Sequence, residues 1–314
     1  MSEPAATQPP ALISVSRGAL KLIGRVLAVA GVAFIGLSVF REWDTLAEHT
    51  SLLPVSALAL ASGVYLLALL LLSLAWTRLL NLYAQTRVPL LDGHISYARS
   101  QIAKYLPGNV FQYAGRYALA RQLGADEPAV LRATAEELLG VSSVFAAGAV
   151  VFALLFIDAN RLPEVVSDRA VLGCTLVLAG LWLARWLATS RMAGRFRLAR
   201  WSGSLILSWC CFAMFLGLSL VSLWVLAAEA PQLTGAQHLG VLAASFCLSW
   251  LAGFVVPGAP GGIGVRESAF VLMLDPYGLA VPALALIIQF RVVTVVGDLV
   301  FFATSFLQSE GPAR

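Results

Sequence analysis

Seven stretches of this chain are apolar for long enough to cross a bilayer as a helix, and that repetition restricts the backbone severely. They run at roughly 22–40, 52–76, 129–157, 170–189, 203–228, 237–256 and 280–307. About 20 helical residues cross the roughly 30 Å of hydrocarbon. Inside that layer every backbone N–H and C=O must find a partner within the protein. The composition agrees: 12% of residues are charged, against about 25% in soluble domains. The mean hydropathy is +0.83. The expected fold is an all-α polytopic membrane protein.

Two further stretches, near 92–123 and 257–275, are apolar but interrupted. The second opens on Pro257-Gly258-Ala259-Pro260-Gly261-Gly262-Ile263-Gly264, followed at once by Arg266 and Glu267. Non-helical backbone is tolerated at membrane depth only where protein or a wet cavity satisfies it. The interruption therefore predicts a re-entrant hairpin beside a polar pocket. It has an echo: Pro107-Gly108 precedes Arg116 as Pro257-Gly258 precedes Arg266, nine residues after each proline and 150 residues apart. Span, broken hairpin, span then occurs twice, with residues 170–228 between. Such internal symmetry marks transporters, whose binding sites lie at the broken segments. The expectation is about seven full transmembrane helices plus two re-entrant helical hairpins in two pseudo-symmetric halves. Residues 1–20 read as a disordered cytoplasmic lead rather than a signal peptide, 21–308 as one integral membrane domain, and 309–314 as a tail.

Charge distribution orients the chain. Of 21 Lys and Arg, 15 lie in residues 17–25, 78–132 and 185–200. The segments 41–50, 158–169 and 229–236 carry seven carboxylates instead. The positive-inside rule then puts the N-terminus and the basic regions in the cytoplasm, in a cell (inner) membrane. Arg191, Arg195, Arg197 and Arg200 read as topological anchors. Trp43, Trp76, Tyr83 and Trp201 read as interfacial anchors. Ile95, Ala98, Ile102 and Tyr105 recur at helical spacing and predict a short amphipathic helix at the interface.

Charges inside apolar segments are the candidate functional residues, since each is costly unless paired or hydrated. Arg116 and Arg266 follow the two Pro/Gly breaks. A helix start there offers free N–H groups to an anion, and a guanidinium can grip phosphate oxygens bidentately. The expected site is one phosphate-type pocket where the hairpins meet. Alternatively, Arg266 pairs with a carboxylate and Arg116 snorkels. Glu136 and Glu137 stand about two turns into a long span, and one of them is expected to face the hairpin arginines. Arg291 and Asp298 share a face of the last span about 10 Å apart. That is too far for a direct pair, so they serve as a structural lock or as part of a substrate path. The cysteines Cys174, Cys210, Cys211 and Cys247 lie in apolar segments and read as packing residues. His49, His94 and His238 are too scattered for a metal site. Nothing in the chain calls for a cofactor or a nucleic acid.

The motif PGAPGGIGVRES at 257–268, followed by GLAVPALALIIQFRVVTVVGD at 278–298, resembles the lysylphosphatidylglycerol synthase transmembrane-region family. This is the flippase-like membrane domain of the multiple peptide resistance factors. AKYLPGNVFQYAGRYALARQLG at 103–124 looks like that family's earlier hairpin. The resemblance covers roughly residues 20–308. It implies movement between leaflets of a lipid whose head is anionic, such as a modified phosphatidylglycerol or a polyprenyl phosphate. It carries Pro257, Gly261, Gly262, Gly264, Arg266, Glu267, Pro107, Gly108, Arg116 and Arg291 over as site residues. The sequence has no room for the soluble synthase domain and no catalytic motif, so an enzyme is not expected. The other readings are a non-catalytic membrane partner of a lipid- or glycan-modifying enzyme and, behind it, a membrane-embedded transferase. Expected partners are phosphate-headed membrane lipids, with a homo-oligomer or such an enzyme as further candidates.

Overall fold

The apolar windows become helices wherever the chain is described. A computed structural model describes residues 54–106, 110–156, 203–255, 260–262 and 264–307. Its helices are α1 (Val55–Tyr83), α2 (Leu90–Gln101), α3 (Phe111–Gln122), α4 (Glu127–Phe156), α5 (Gly203–Ala227), α6 (Ala236–Val255), α7 (Val265–Leu274) and α8 (Ala280–Leu307). No strand occurs among the described residues. Four helices, α1, α4, α5 and α8, are long and apolar enough to cross a membrane. The shortest of them, α5, has 25 residues, which at about 1.5 Å per residue exceeds the hydrocarbon thickness. Their outward faces are apolar too: Leu60, Leu154 and Val281 are 58%, 70% and 80% exposed. Helices that are apolar all round suit a lipid environment. The chain is a helical membrane protein.

The expected count of seven spans meets four here. The windows at 22–40 and 170–189 lie outside the described residues, as do Trp43, Trp201, Cys174, His49 and the basic run 191–200. The window at 237–256 folds as α6, whose apolar part, His238–Phe254, is shorter than a full span. In the other direction, α1 runs past its apolar window to Tyr83. It stays helical because Leu79 and Leu80 are fully buried in the core.

Helix contacts rest on small residues and on serine hydroxyls. The most extensive packing is α1 on α5. There Ser208 Oγ donates to Ala75 O at 3.2 Å and Ser222 Oγ to Ala61 O at 3.0 Å. Close approach of this kind substitutes in lipid for the hydrophobic drive that water would provide. Gly140 of α4 takes the ring of Phe212 from α5, and Gly297 of α8 takes that of Tyr65 from α1. Phe145 of α4 stacks on Trp250 of α6 with ring centroids 4.1 Å apart.

The broken stretches fold as helix, break, helix. In the first, α2 runs through a 3-10 turn (Ile102–Tyr105), and after Pro107–Asn109, which lie outside the described residues, α3 begins. Gly124, at φ +86°, ends α3 by letting Ala125 N–H reach back to Ala120 O at 3.2 Å. In the second, α6 itself supplies the helix before the break and α7 the helix after it, each packed on the other. The 257–275 stretch is therefore half of a pair, because the apolar α6 absorbs the other half. The α2 helix also departs from the expected interfacial, amphipathic form. Ser96, Tyr97, Ser100 and Gln101 are buried along with Ala98, Ile102 and Tyr105, since α1, α3 and α8 pack around it. Trp76 is likewise no interfacial anchor; it is fully buried in the core.

The close glycine contacts give a signed prediction. A Cβ at Gly140 would lie 2.4 Å from the Phe212 ring, whereas one at Gly217 meets nothing within 4 Å. Gly140→Ala should destabilise by about 1–3 kcal/mol through overpacking. Gly217→Ala should instead stabilise by up to about 1 kcal/mol through helix propensity. Thermal unfolding of the detergent-solubilised variants checks both signs; equal shifts would contradict this helix packing.

Candidate functional site

Three ion pairs fasten the breaks to the long helices. From the middle of α3, Arg116 reaches Glu137 of α4. The arginine is 1% exposed and the glutamate 5%. Its guanidinium also donates through Nε to Ser100 Oγ at 3.3 Å and lies 3.7 Å from the centre of the Tyr97 ring. Tyr97 in turn donates its hydroxyl to the other oxygen of Glu137 at 2.5 Å. Every strong donor and acceptor in this cluster is occupied, the condition under which a buried charge pair is tolerable.

The second pair holds the 3-10 turn. Lys104 Nζ lies 2.6 Å from Asp298 Oδ2 on α8, and the Tyr105 hydroxyl donates to the same oxygen at 2.6 Å. Burial pulls the Lys104 ammonium below the ordinary lysine range, and Asp298 opposes that shift. Asp298 is 1% exposed, and its Oδ1 is buried without a hydrogen-bond partner. The third pair holds the second break. Arg291 of α8 meets Glu267 Oε1 at 2.5 Å, while Glu267 Oε2 accepts from Gly264 N–H at 2.6 Å.

Arg266 differs from these cations. Among the described residues no carboxylate lies within ion-pair distance of it, and its Nε is buried without a hydrogen-bond partner. Its guanidinium sits 5.4 Å from the Trp250 ring centre. Its stem lies in a bed that glycines leave open: a Cβ at Gly253 would fall 2.4 Å from its Cγ, and one at Gly262 would fall 2.6 Å from its Nε. Gly262 also has φ +76°, a region that side chains disfavour. Gly261 rests against the Tyr105 ring and so brings the two breaks together.

Lys104, Arg116, Arg266 and Arg291 all line one cavity of about 350 Å³, with Glu137 and Glu267 among them. Aromatic side chains, including Tyr97, Tyr113 and Trp250, form much of the remaining wall. The sequence-predicted residues thus divide. Arg116, Arg266, Glu137, Glu267, Arg291 and Gly261 line the cavity, while Asp298 stands behind it holding Lys104. Gly262 and Gly264 shape the second break. Glu136 turns away, towards the Tyr83 hydroxyl at 3.4 Å, and does not line the cavity. Gly108 lies outside the described residues.

Two expectations need correction. At the start of α7 one donor is already taken, because Glu267 accepts from the N-cap N–H of Gly264. Arg116 sits in the second turn of its helix and is neither at a helix start nor snorkelling, because Glu137 is close enough to bind it. Arg291 and Asp298 do not pair with each other, as their spacing requires, and each instead ties α8 to a different break. Sequence reasoning passed over Lys104, Tyr97 and Gln101 as site residues. Their spacing of four and three residues puts them on one helical face, and that spacing is the signal in the sequence that marks them.

Long apolar helices around a charged, aromatic-walled cavity define a helical membrane protein with an interior polar site. No family model and no curated protein matches the chain.

Removing one partner from the Arg116–Glu137 pair should destabilise by about 3–5 kcal/mol by leaving a buried charge alone. Glu137→Leu and Arg116→Met should each lower the unfolding temperature sharply. The double variant Arg116→Met/Glu137→Leu should recover much of the loss. Additive losses in a double-mutant cycle would contradict a coupled pair.

Proposed function

We propose that the chain is a lipid transporter of the flippase kind, moving a lipid with an anionic, phosphate-bearing head between leaflets. The head enters the cavity while its tails remain in the bilayer. The observation that carries this reading is Arg266: a cation without a carboxylate partner among the described residues, on the wall of a cavity within an apolar bundle. An unpaired charge in such surroundings is unfavourable for stability, and an anionic ligand compensates it. Phosphate is a suitable partner because its oxygens match a guanidinium fork.

The PG-x7-R motifs and their resemblance to the lysylphosphatidylglycerol synthase transmembrane region point the same way. On this reading the two breaks are re-entrant from the cytoplasmic side of the cell membrane. The chain's helices form two pseudo-symmetric halves, and the N-terminus is cytoplasmic, as the distribution of basic residues favours. The protein performs no covalent chemistry on the lipid.

The test is reconstitution of the purified protein in liposomes carrying labelled phosphatidylglycerol-type and polyprenyl-phosphate lipids. Arg266→Met keeps the apolar stem and removes the charge. It should lower translocation by about tenfold or more while leaving thermal stability unchanged or raised, the usual trade-off at a site built for a ligand. Translocation at the wild-type rate would refute the site. No translocation of any lipid would favour a non-catalytic partner of a lipid-modifying enzyme, and conversion of the lipid would favour a transferase.

A further inference from the structure

The charges around the cavity leave a small remainder, and that remainder selects among anionic heads. Lys104 is held by Asp298, Arg116 by Glu137 and Arg291 by Glu267. Among the described residues, four cations against three carboxylates leave one positive charge, and Arg266 carries it. We propose that the cavity accepts a single negative charge: its ligand is the monoanionic phosphodiester head of a lipid, and phosphomonoester dianions are excluded. This inference rests on the transporter reading above and narrows its substrate class.

The physical reason is the fate of a second negative charge. A phosphodiester has one ionised oxygen, whereas a phosphomonoester carries about −1.5 to −2 at pH 7. A monoanion beside Arg266 leaves the cavity neutral and every ion pair intact. A dianion needs a second cation, which must be taken from Lys104, Arg116 or Arg291. Taking the first two strands Asp298 or Glu137, which are 1% and 5% exposed, and a stranded buried carboxylate is strongly disfavoured. Glu267 is the carboxylate easiest to release, since its side chain is 17% exposed. It occupies both Arg291 and the Gly264 N–H, two donors that would otherwise serve a second phosphate charge. Glu267 is therefore the specificity-determining residue: it stands in the place of that second charge.

The detergent-purified full chain is titrated with dioleoylphosphatidylglycerol, dioleoylphosphatidic acid and dioleoylphosphatidylcholine, with occupancy read by native mass spectrometry. At about pH 8.5, where the monoester is a dianion, wild type should bind the diester at least about tenfold more tightly. At about pH 5, where the monoester is a monoanion, the two should come within about threefold. Glu267→Gln, which frees Arg291, should narrow the gap at high pH. The wild-type comparison at two pH values stands without the variant should Glu267→Gln fail to fold. Equal or tighter binding of the dianion by wild type, or an unchanged gap in a folded Glu267→Gln, overturns the charge selection but not the anionic-lipid reading. Binding of both anionic lipids no tighter than phosphatidylcholine overturns both. Displacement of phosphatidylglycerol by soluble dimethyl phosphate at comparable concentration overturns the lipid assignment and gives the site to a free phosphodiester.

Discussion

Two breaks in helical backbone have to be held inside an apolar bundle, and buried ion pairs hold them. Without Arg116–Glu137, α3 would present a guanidinium to the rings of Trp76, Tyr97 and Tyr113 with no countercharge. Without Lys104–Asp298 and Arg291–Glu267, α8 would carry charges of both signs with no ion-pair partner among the described residues. A lone charge in this setting is far more unfavourable than a paired one, so the pairs fix where each break docks. The glycines follow from the docking. Gly253 and Gly262 leave room for the Arg266 stem, and Gly261 lets the second break lie against Tyr105 of the first.

The same arrangement separates paired from unpaired cations among the described residues lining the cavity. Arg116 and Arg266 occupy equivalent places after the two PG breaks, yet their surroundings differ. Glu137 stands opposite the first, while Trp250 and open cavity stand opposite the second. Among the described residues lining the cavity, three cations are held in ion pairs and Arg266 is not. On the proposed reading, that asymmetry gives two similar segments different roles, one as a support and one as a receptor. On the proposed reading Glu267 bears on which head fits, because it fills donors that a more highly charged ligand would require.

Much of the fold was legible because bilayer hydropathy leaves one solution per window: α4, α5 and α8 follow their apolar runs closely. What the windows concealed was where polar groups are buried. The α2 helix reads as interfacial because Ser96, Ser100 and Gln101 look solvated, but neighbours on several sides bury them. For the site, charge in apolar sequence identified Arg116, Glu137, Glu267 and Arg291. That one of Glu136 and Glu137 meets a hairpin arginine was legible, and Arg116–Glu137 bears it out; the other pairings were not, because each partner lies on another element, as with Lys104 and Asp298. Glu136 and Glu137 illustrate the limit: adjacent carboxylates look alike in sequence, and only the rotation of α4 sends one to Arg116 and the other to Tyr83.

The central claim is that Arg266 receives the phosphate while the three ion pairs stay closed. An experimental structure of the protein in phosphatidylglycerol-containing nanodiscs measures this directly. The lipid phosphorus should lie within about 4 Å of the Arg266 guanidinium, as bidentate pairing requires, with Arg116–Glu137, Lys104–Asp298 and Arg291–Glu267 unbroken. A lipid phosphate bound elsewhere with the cavity empty, or Arg266 closed onto a carboxylate of its own chain, would contradict it.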